Sequence, residues 1–185
     1  MLNTNSYLNK KRLFPIAFAD VLPNGLSYQI DSWSSFVKNY HPQNILHLNN
    51  NPLSKWMIHS NKNNSEYVML KLNKISIIRR VLFIKLNKPS CMKEFKLYFG
   101  LNKHNMKKVL HSSLVQFKSI HASFELNNNE TLILTKYIKV VPLSALKSEN
   151  KISLWYVGLI GYDDESIVNN YMHRYNEMIA QVKKM

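Results

Sequence analysis

Ser153–Val168 reads SLWYVGLIGYDDESIV, and its interpretation decides the fold. The first ten residues are almost wholly apolar and carry Trp155 and Tyr156. Two glycines lie among them, and two aspartates and the start of a new periodicity follow. The apolar half reads as a strand in which Trp155 alternates with Val157 and Leu159, so packing accounts for its ring better than ligand stacking does. Beyond Asp163 and Asp164 the period changes to steps of three and four through Ile167, Tyr171, Tyr175, Met178 and Val182. That is one helical stripe. Asp164 suits the cap of its first turn, and Lys183 and Lys184 suit its other end. A lone helix of this length is marginal in water, so the stripe must pack on the preceding domain or on another chain.

Upstream, the chain reads as strands. In EFKLYF, residues 94–99, Phe95, Leu97 and Phe99 point one way while Glu94, Lys96 and Tyr98 point the other. EYVMLKL repeats the pattern with Val68, Leu70 and Leu72. IIRRVLFIKL is apolar on both faces after its arginines, as an inner strand would be. TLILTKYIKVVPL reads as two strand pieces or as one strand bent near Lys136, and is expected to stop at Pro142, which cannot donate to a ladder. WSSFVKNYHPQNIL reads either as a short helix ending near Tyr40 or as a loop over one end of the sheet, with Pro42 stopping any helix before it. Short strands separated by Asn-, Ser- and Pro-rich loops predict an antiparallel sandwich or barrel.

Composition narrows function less. The formal net charge is +14, but lysine greatly outnumbers arginine and asparagine is abundant. Compositional bias therefore explains the charge better than a nucleic-acid partner does. No apolar run reaches the length of a membrane span. Cys91 is the single cysteine, which rules out an intrachain disulfide and favours a reducing compartment. KKRLFPIAFADVL imitates a secretory leader, but Pro15 interrupts a short apolar run. The sequons at Asn63 and Asn129 are what an Asn-rich chain produces by chance. The seven histidines, His41 and His47 among them, show no metal-ligand spacing. Cys91 has no partner legible in sequence, the carboxylates form no acid–base pair, and no glycine-rich phosphate loop occurs. The expectation is a non-enzymatic chain without cofactor or metal.

The order of segments adds a resemblance. NYHPQNIL, FGLNKHNMKKVL and LWYVGLIGYDD, in that order and within the strand pattern above, resemble the N-terminal domain of the muskelin family. That domain is a discoidin-like (galactose-binding-like) antiparallel jelly roll, and the resemblance implies an all-β sandwich over 26–164 with a C-terminal α-helix. Residues 1–25 are then an N-terminal extension, and 165–185 open a LisH-like dimerisation motif. In the family a CTLH region and a kelch propeller follow. The 185 residues contain no kelch repeat, as in a fragment or a reduced relative. The resemblance implies a cytoplasmic and nuclear scaffold or adaptor, a non-catalytic subunit of a CTLH (GID-type) ubiquitin ligase, with ligase subunits as protein partners. It also implies self-association through Ile167, Tyr171, Tyr175, Met178 and Val182. The alternatives are a carbohydrate- or lipid-binding discoidin module and a DOC-type subunit of the anaphase-promoting complex.

A binding surface is expected on the loops at one end of the sandwich, Asp31–Phe36, Tyr40–Asn44 and Trp56–Asn61, where Trp, Tyr, His and Asn concentrate. The candidates are Trp33, Tyr40, His41, Asn44, Trp56, His59 and Asn61. Trp33 suits core and contact equally, whereas Trp56 reads first as a plug in one end of the sandwich.

Overall fold

A computed structural model describes residues 22–182 except 49, 50, 52, 61, 62, 64, 127–132 and 149, and at 178, 179 and 182 it describes the backbone alone. The leader-like segment up to residue 21, Asn129, Lys183 and Lys184 lie outside the described residues.

The strands are β1 Asn24–Gly25, β2 Tyr28–Trp33, β3 Trp56–His59, β4 Val68–Ile84, β5 Met92–Gly100, β6 Lys107–Ser113, β7 His121–Glu125, β8 Ile133–Ala145, β9 Lys151–Leu154 and β10 Val157–Tyr162. One helix, α1, spans Glu165–Val182. All strand pairings between them are antiparallel.

The hub is β4. EYVMLKL and IIRRVLFIKL, read separately in sequence, are joined in this one 17-residue strand. It bends at exposed Asn73–Ile75, where its register with β8 shifts between Lys71 and Ser76. Its first half pairs with β2 and β8, and its second half pairs with β10 and β7. A strand that changes neighbours midway belongs to both layers of a roll. β8, β5 and β6 continue the main sheet, while β3 and β9 form a separate ribbon.

Pro142 does not end its strand, because β8 runs on to Ala145. The last β4–β8 pair is Val68 with Val140, so beyond it β8 bonds to β5 alone. On the unpaired side a missing N–H costs no ladder bond. The closing segment ISLWYVGLIGY is likewise not one strand. β9 ends at Leu154 in the ribbon, and β10 starts at Val157 in the main sheet. Trp155 and Tyr156 make the crossing. Trp155 is buried, though in a small satellite cluster with Ile84 and Cys91.

The alternation expected for β5 and early β4 is present. Phe95, Leu97, Phe99, Val68, Leu70 and Leu72 are all buried in the main core. Phe83, Phe95 and Phe124 meet at tilted and edge-on angles, with centroids 4.7 Å apart for Phe83–Phe95 and 5.2 Å for Phe95–Phe124. Asn24 and Gly25 join the main sheet, because β1 pairs with the end of β10.

Asp164 caps α1: its Oδ1 accepts from the backbone N–H of Ser166 at 2.9 Å and of Ile167 at 3.3 Å. The Ser166 hydroxyl, then these two amides, hold its carboxyl below the ordinary carboxylate range. The first half of the stripe is used within the chain. Val168 and Tyr171 are buried against Ile77 and Tyr162, and Leu134, Ile167, Met172 and Tyr175 pack around them. Thus Tyr171, expected as an association residue, seals the helix onto the sandwich. Ile167 and Tyr175 flank it there. A marginal helix gains its stability from such a packed face. The side chains of Met178 and Val182 lie outside the described residues.

Candidate functional site

The loops between β2 and β3 gather at one end of the sandwich. No α-helix forms in WSSFVKNYHPQNIL. The backbone turns at Asn39, the one non-glycine with positive φ (72°) among the described residues, and a 3-10 turn follows at Pro42–Ile45. Asn tolerates the left-handed region better than other non-glycine residues, and Pro at the first helical position loses no bond. His41 caps the turn, its Nδ1 accepting from the Gln43 N–H at 3.2 Å. The neutral ring therefore carries its proton on Nε2.

His41 also sits between two aromatic rings. Its centroid is 4.7 Å from Trp33 and 4.8 Å from Phe36, edge-on to both. Beside this trio the Lys55 ammonium lies 4.7 Å from the Tyr40 ring centroid and 4.8 Å from that of Trp155. Burial, then nearby Lys88, lowers the Lys55 pKa from its ordinary value. Two aromatic faces stabilise the cation in return.

Asn44 staples these loops together. Its amide donates to the Lys55 carbonyl at 3.1 Å and the Leu53 carbonyl at 3.3 Å, and Ser54 Oγ donates to the Asn44 carbonyl at 3.0 Å. Trp56 completes the scaffold. It is 1% exposed, and its indole N–H donates to the Ser35 carbonyl at 2.9 Å. Its ring cannot reach a partner, so among the candidates it is a support for the loops. The structure brings Trp33, Tyr40, His41 and Asn44 together. His59 is exposed at the far end of β3, about 10 Å along the strand from Trp56, and Asn61 lies outside the described residues.

Sequence reasoning placed Phe36 at the end of a candidate loop without singling it out, and missed Lys55 and Leu53 as site residues. Phe36 and Leu53 are 44% and 53% exposed, on loops that Asn44 and Trp56 hold in place. No local pattern marks Lys55, since one of its two aromatic partners is Trp155 in a distant segment.

Cys91 is buried, and burial pushes its thiol pKa up, away from the nucleophilic thiolate. Among the described residues no group of three His, Cys, Asp or Glu could hold a metal ion, and no helix is long and apolar enough to cross a membrane.

The family model described as Muskelin N-terminus matches residues 22–185. The chain belongs to the muskelin N-terminal family. Mei4-dependent protein 6 of Schizosaccharomyces pombe is 38% identical over 157 residues, which cover 78% of this chain. The match takes up only 22% of that protein, so this muskelin-family chain spans about a fifth of the relative's length. Solved structures share its fold. The family 32 carbohydrate-binding module of C. perfringens NanJ, in complex with galactose, has TM-score 0.57 at 11% identity, covering 75% of this chain and 99% of that one. The corresponding module of AlyQ, in complex with 4,5-unsaturated mannuronic acid, gives 0.56 at 16% identity, with 75% and 97% coverage. The muskelin-family domain is thus a discoidin-like, galactose-binding-like jelly roll, and these distant likenesses speak to fold alone.

Proposed function

We propose that this chain is a non-catalytic protein-interaction module that serves as an adaptor in a CTLH-type ubiquitin-ligase assembly, in the cytoplasm and nucleus. Membership of the muskelin N-terminal family supports the assembly. One structural observation supports binding by the loop end: apolar Phe36 and Leu53 are exposed on stapled loops, next to the Trp33–His41 pair and the Tyr40–Lys55 contact. Exposed apolar side chains on a rigid loop platform favour a protein partner. Lys55, shielded by rings, adds one oriented cation to that platform.

The test is affinity capture from cells, comparing the wild type with a Phe36→Ser/Leu53→Ser variant. Both side chains are exposed, so the fold should survive. Recovery of ligase subunits should fall about ten-fold or more in the variant. Equal recovery would remove the loop end from the interface. A glycan array supplies the competing outcome: saturable sugar binding lost on changing Trp33 would mean a carbohydrate module.

A further inference from the structure

The outer face of the main sheet carries a grid of lysines and tyrosines, separate from the loop end. Register fixes it, because residues directly opposite in an antiparallel pair share a face. One cross-strand row runs Met69 on β4, Lys139 on β8, Tyr98 on β5 and Lys108 on β6. A neighbouring row sets Val141, Lys96 and His111 side by side. On the other flank Lys71 lies opposite Tyr137. The Lys139 ammonium is 4.5 Å from the Tyr67 ring centroid, and that of Lys103 is 5.5 Å from Tyr137.

The charges do not cancel. Asp31 pairs with Lys103 at 2.8 Å, and Glu94 pairs with His111 at 2.8 Å. Glu66, near Tyr67, accepts from the Ser34 and Ser35 hydroxyls. Among the described residues, none of Lys71, Lys96, Lys108 and Lys139 has a carboxylate within ion-pair distance. Counting Glu66 at its edge, five lysines share the face with three carboxylates, a net of +2 with His111 left out of the count.

We propose that this face binds an extended acidic segment, rich in Asp and Glu, of a partner protein. The proposal deepens the adaptor reading and rests on it, but uses a different surface. Charge complementarity supplies the argument, since like charges crowded on one face favour an anionic partner. Lys139 and Lys108 are two strands apart, about 10 Å across the sheet. A chain lying across the strands can set successive carboxylates against successive lysines. Two features favour carboxylates over nucleic acid. Every unpaired cation named here is lysine, with none of the bidentate arginines that suit phosphate and bases. The Tyr67 and Tyr137 rings are already engaged by lysines, which leaves them poor platforms for stacking bases.

The test is titration of the full chain with a fluorescent oligoglutamate peptide. Binding should be saturable and should weaken about ten-fold on raising salt from about 50 to about 250 mM. A Lys71→Gln/Lys96→Gln/Lys108→Gln/Lys139→Gln variant, shown folded by an unchanged denaturation midpoint, should lose about ten-fold or more in affinity. The matching Lys→Arg variant should retain it. An unaffected Gln variant, absence of saturable binding, or tighter binding of an oligonucleotide of equal charge would each overturn the proposal. Phe36→Ser/Leu53→Ser separates the two surfaces. If the adaptor reading fails at the loops, peptide binding persists in that variant; if peptide binding is lost there, the sheet face is not the site.

Discussion

Gly161 offers the sharpest check on the way β10 is seated. A Cβ added there would lie 2.0 Å from the Ile77 carbonyl oxygen, 3.0 Å from its carbon and 3.1 Å from the Ile78 Cα. All three atoms are β4 backbone, so no side chain can swing aside. β10 is also held on its other edge, where Asn24 of β1 pairs with Gly161. The register of β10 shifts between Ile160 and Gly161, and Tyr162, the next residue, is part of the seat for α1. Overpacking costs about 1–3 kcal/mol where neighbours can give, and more where they cannot. Gly161→Ala is therefore expected to cost about 3 kcal/mol or more, a large part of the ~5–15 kcal/mol that holds a domain together. With a urea m-value of about 2 kcal/mol/M, the midpoint should drop by about 1.5 M.

Two internal controls give the series its force. A Cβ at Gly25 meets nothing within 4 Å, so Gly25→Ala should stay within about 0.5 kcal/mol of wild type. At Gly158 it meets the Tyr156 ring edge at 3.0 Å and the Leu82 Cβ at 3.1 Å. These are side-chain atoms, so an intermediate cost of about 1–2 kcal/mol is expected. The assay is equilibrium urea unfolding followed by tryptophan fluorescence. If Gly161→Ala unfolds within about 0.5 kcal/mol of wild type with an unchanged m-value, β10 does not approach β4 as described.

Other expectations are simpler. Trp56→Ala should cost about 3–5 kcal/mol, because it empties a fully buried site, and hydrogen exchange should show the 34–36 loop released. Tyr171→Ser should detach α1 from the sandwich, seen as lost helical signal in far-UV circular dichroism while the β signal remains; helix content equal to wild type would refute that docking. Asp164→Ala should fray the first turn of α1 and Asp164→Ser should largely preserve it, by the same measurement. The Asp164 carboxyl titrates lower when folded than when unfolded. Its contribution is therefore complete above the ordinary carboxylate range and is lost as pH falls through the folded value, a loss absent in Asp164→Ala.

The elements legible in the sequence were those whose signals are local. Phe95, Leu97 and Phe99 declare a one-sided strand by alternation, and all three are buried. The step from period two to steps of three and four at Asp164 marks both the end of the sandwich and the helix cap. The segments that carried the resemblance were sufficient to indicate the family. The loop end was visible as a concentration of Trp, Tyr, His and Asn, and Trp33, Tyr40, His41 and Asn44 do meet there. Trp56 belongs to that end only as a buried support.

What the sequence alone determined, then, was the strand character of the alternating segments in β4, β5, β8 and β10, the start of the helix and the family. Burial alternation, capping and propensity act within a few residues, and those residues are written in order. Tertiary structure decided which neighbour each strand takes. It let Pro142 remain inside β8 because β4 has already parted from it, and it split the closing apolar run at Trp155–Tyr156 between two sheets. It turned Tyr171 inward onto Ile77 and Tyr162, and it set Lys55 beside Trp155. The lysine grid exists for the same reason. Lys71, Lys96, Lys108 and Lys139 are scattered along the chain, and only the antiparallel register, set by long-range backbone hydrogen bonds, brings their charges onto one face.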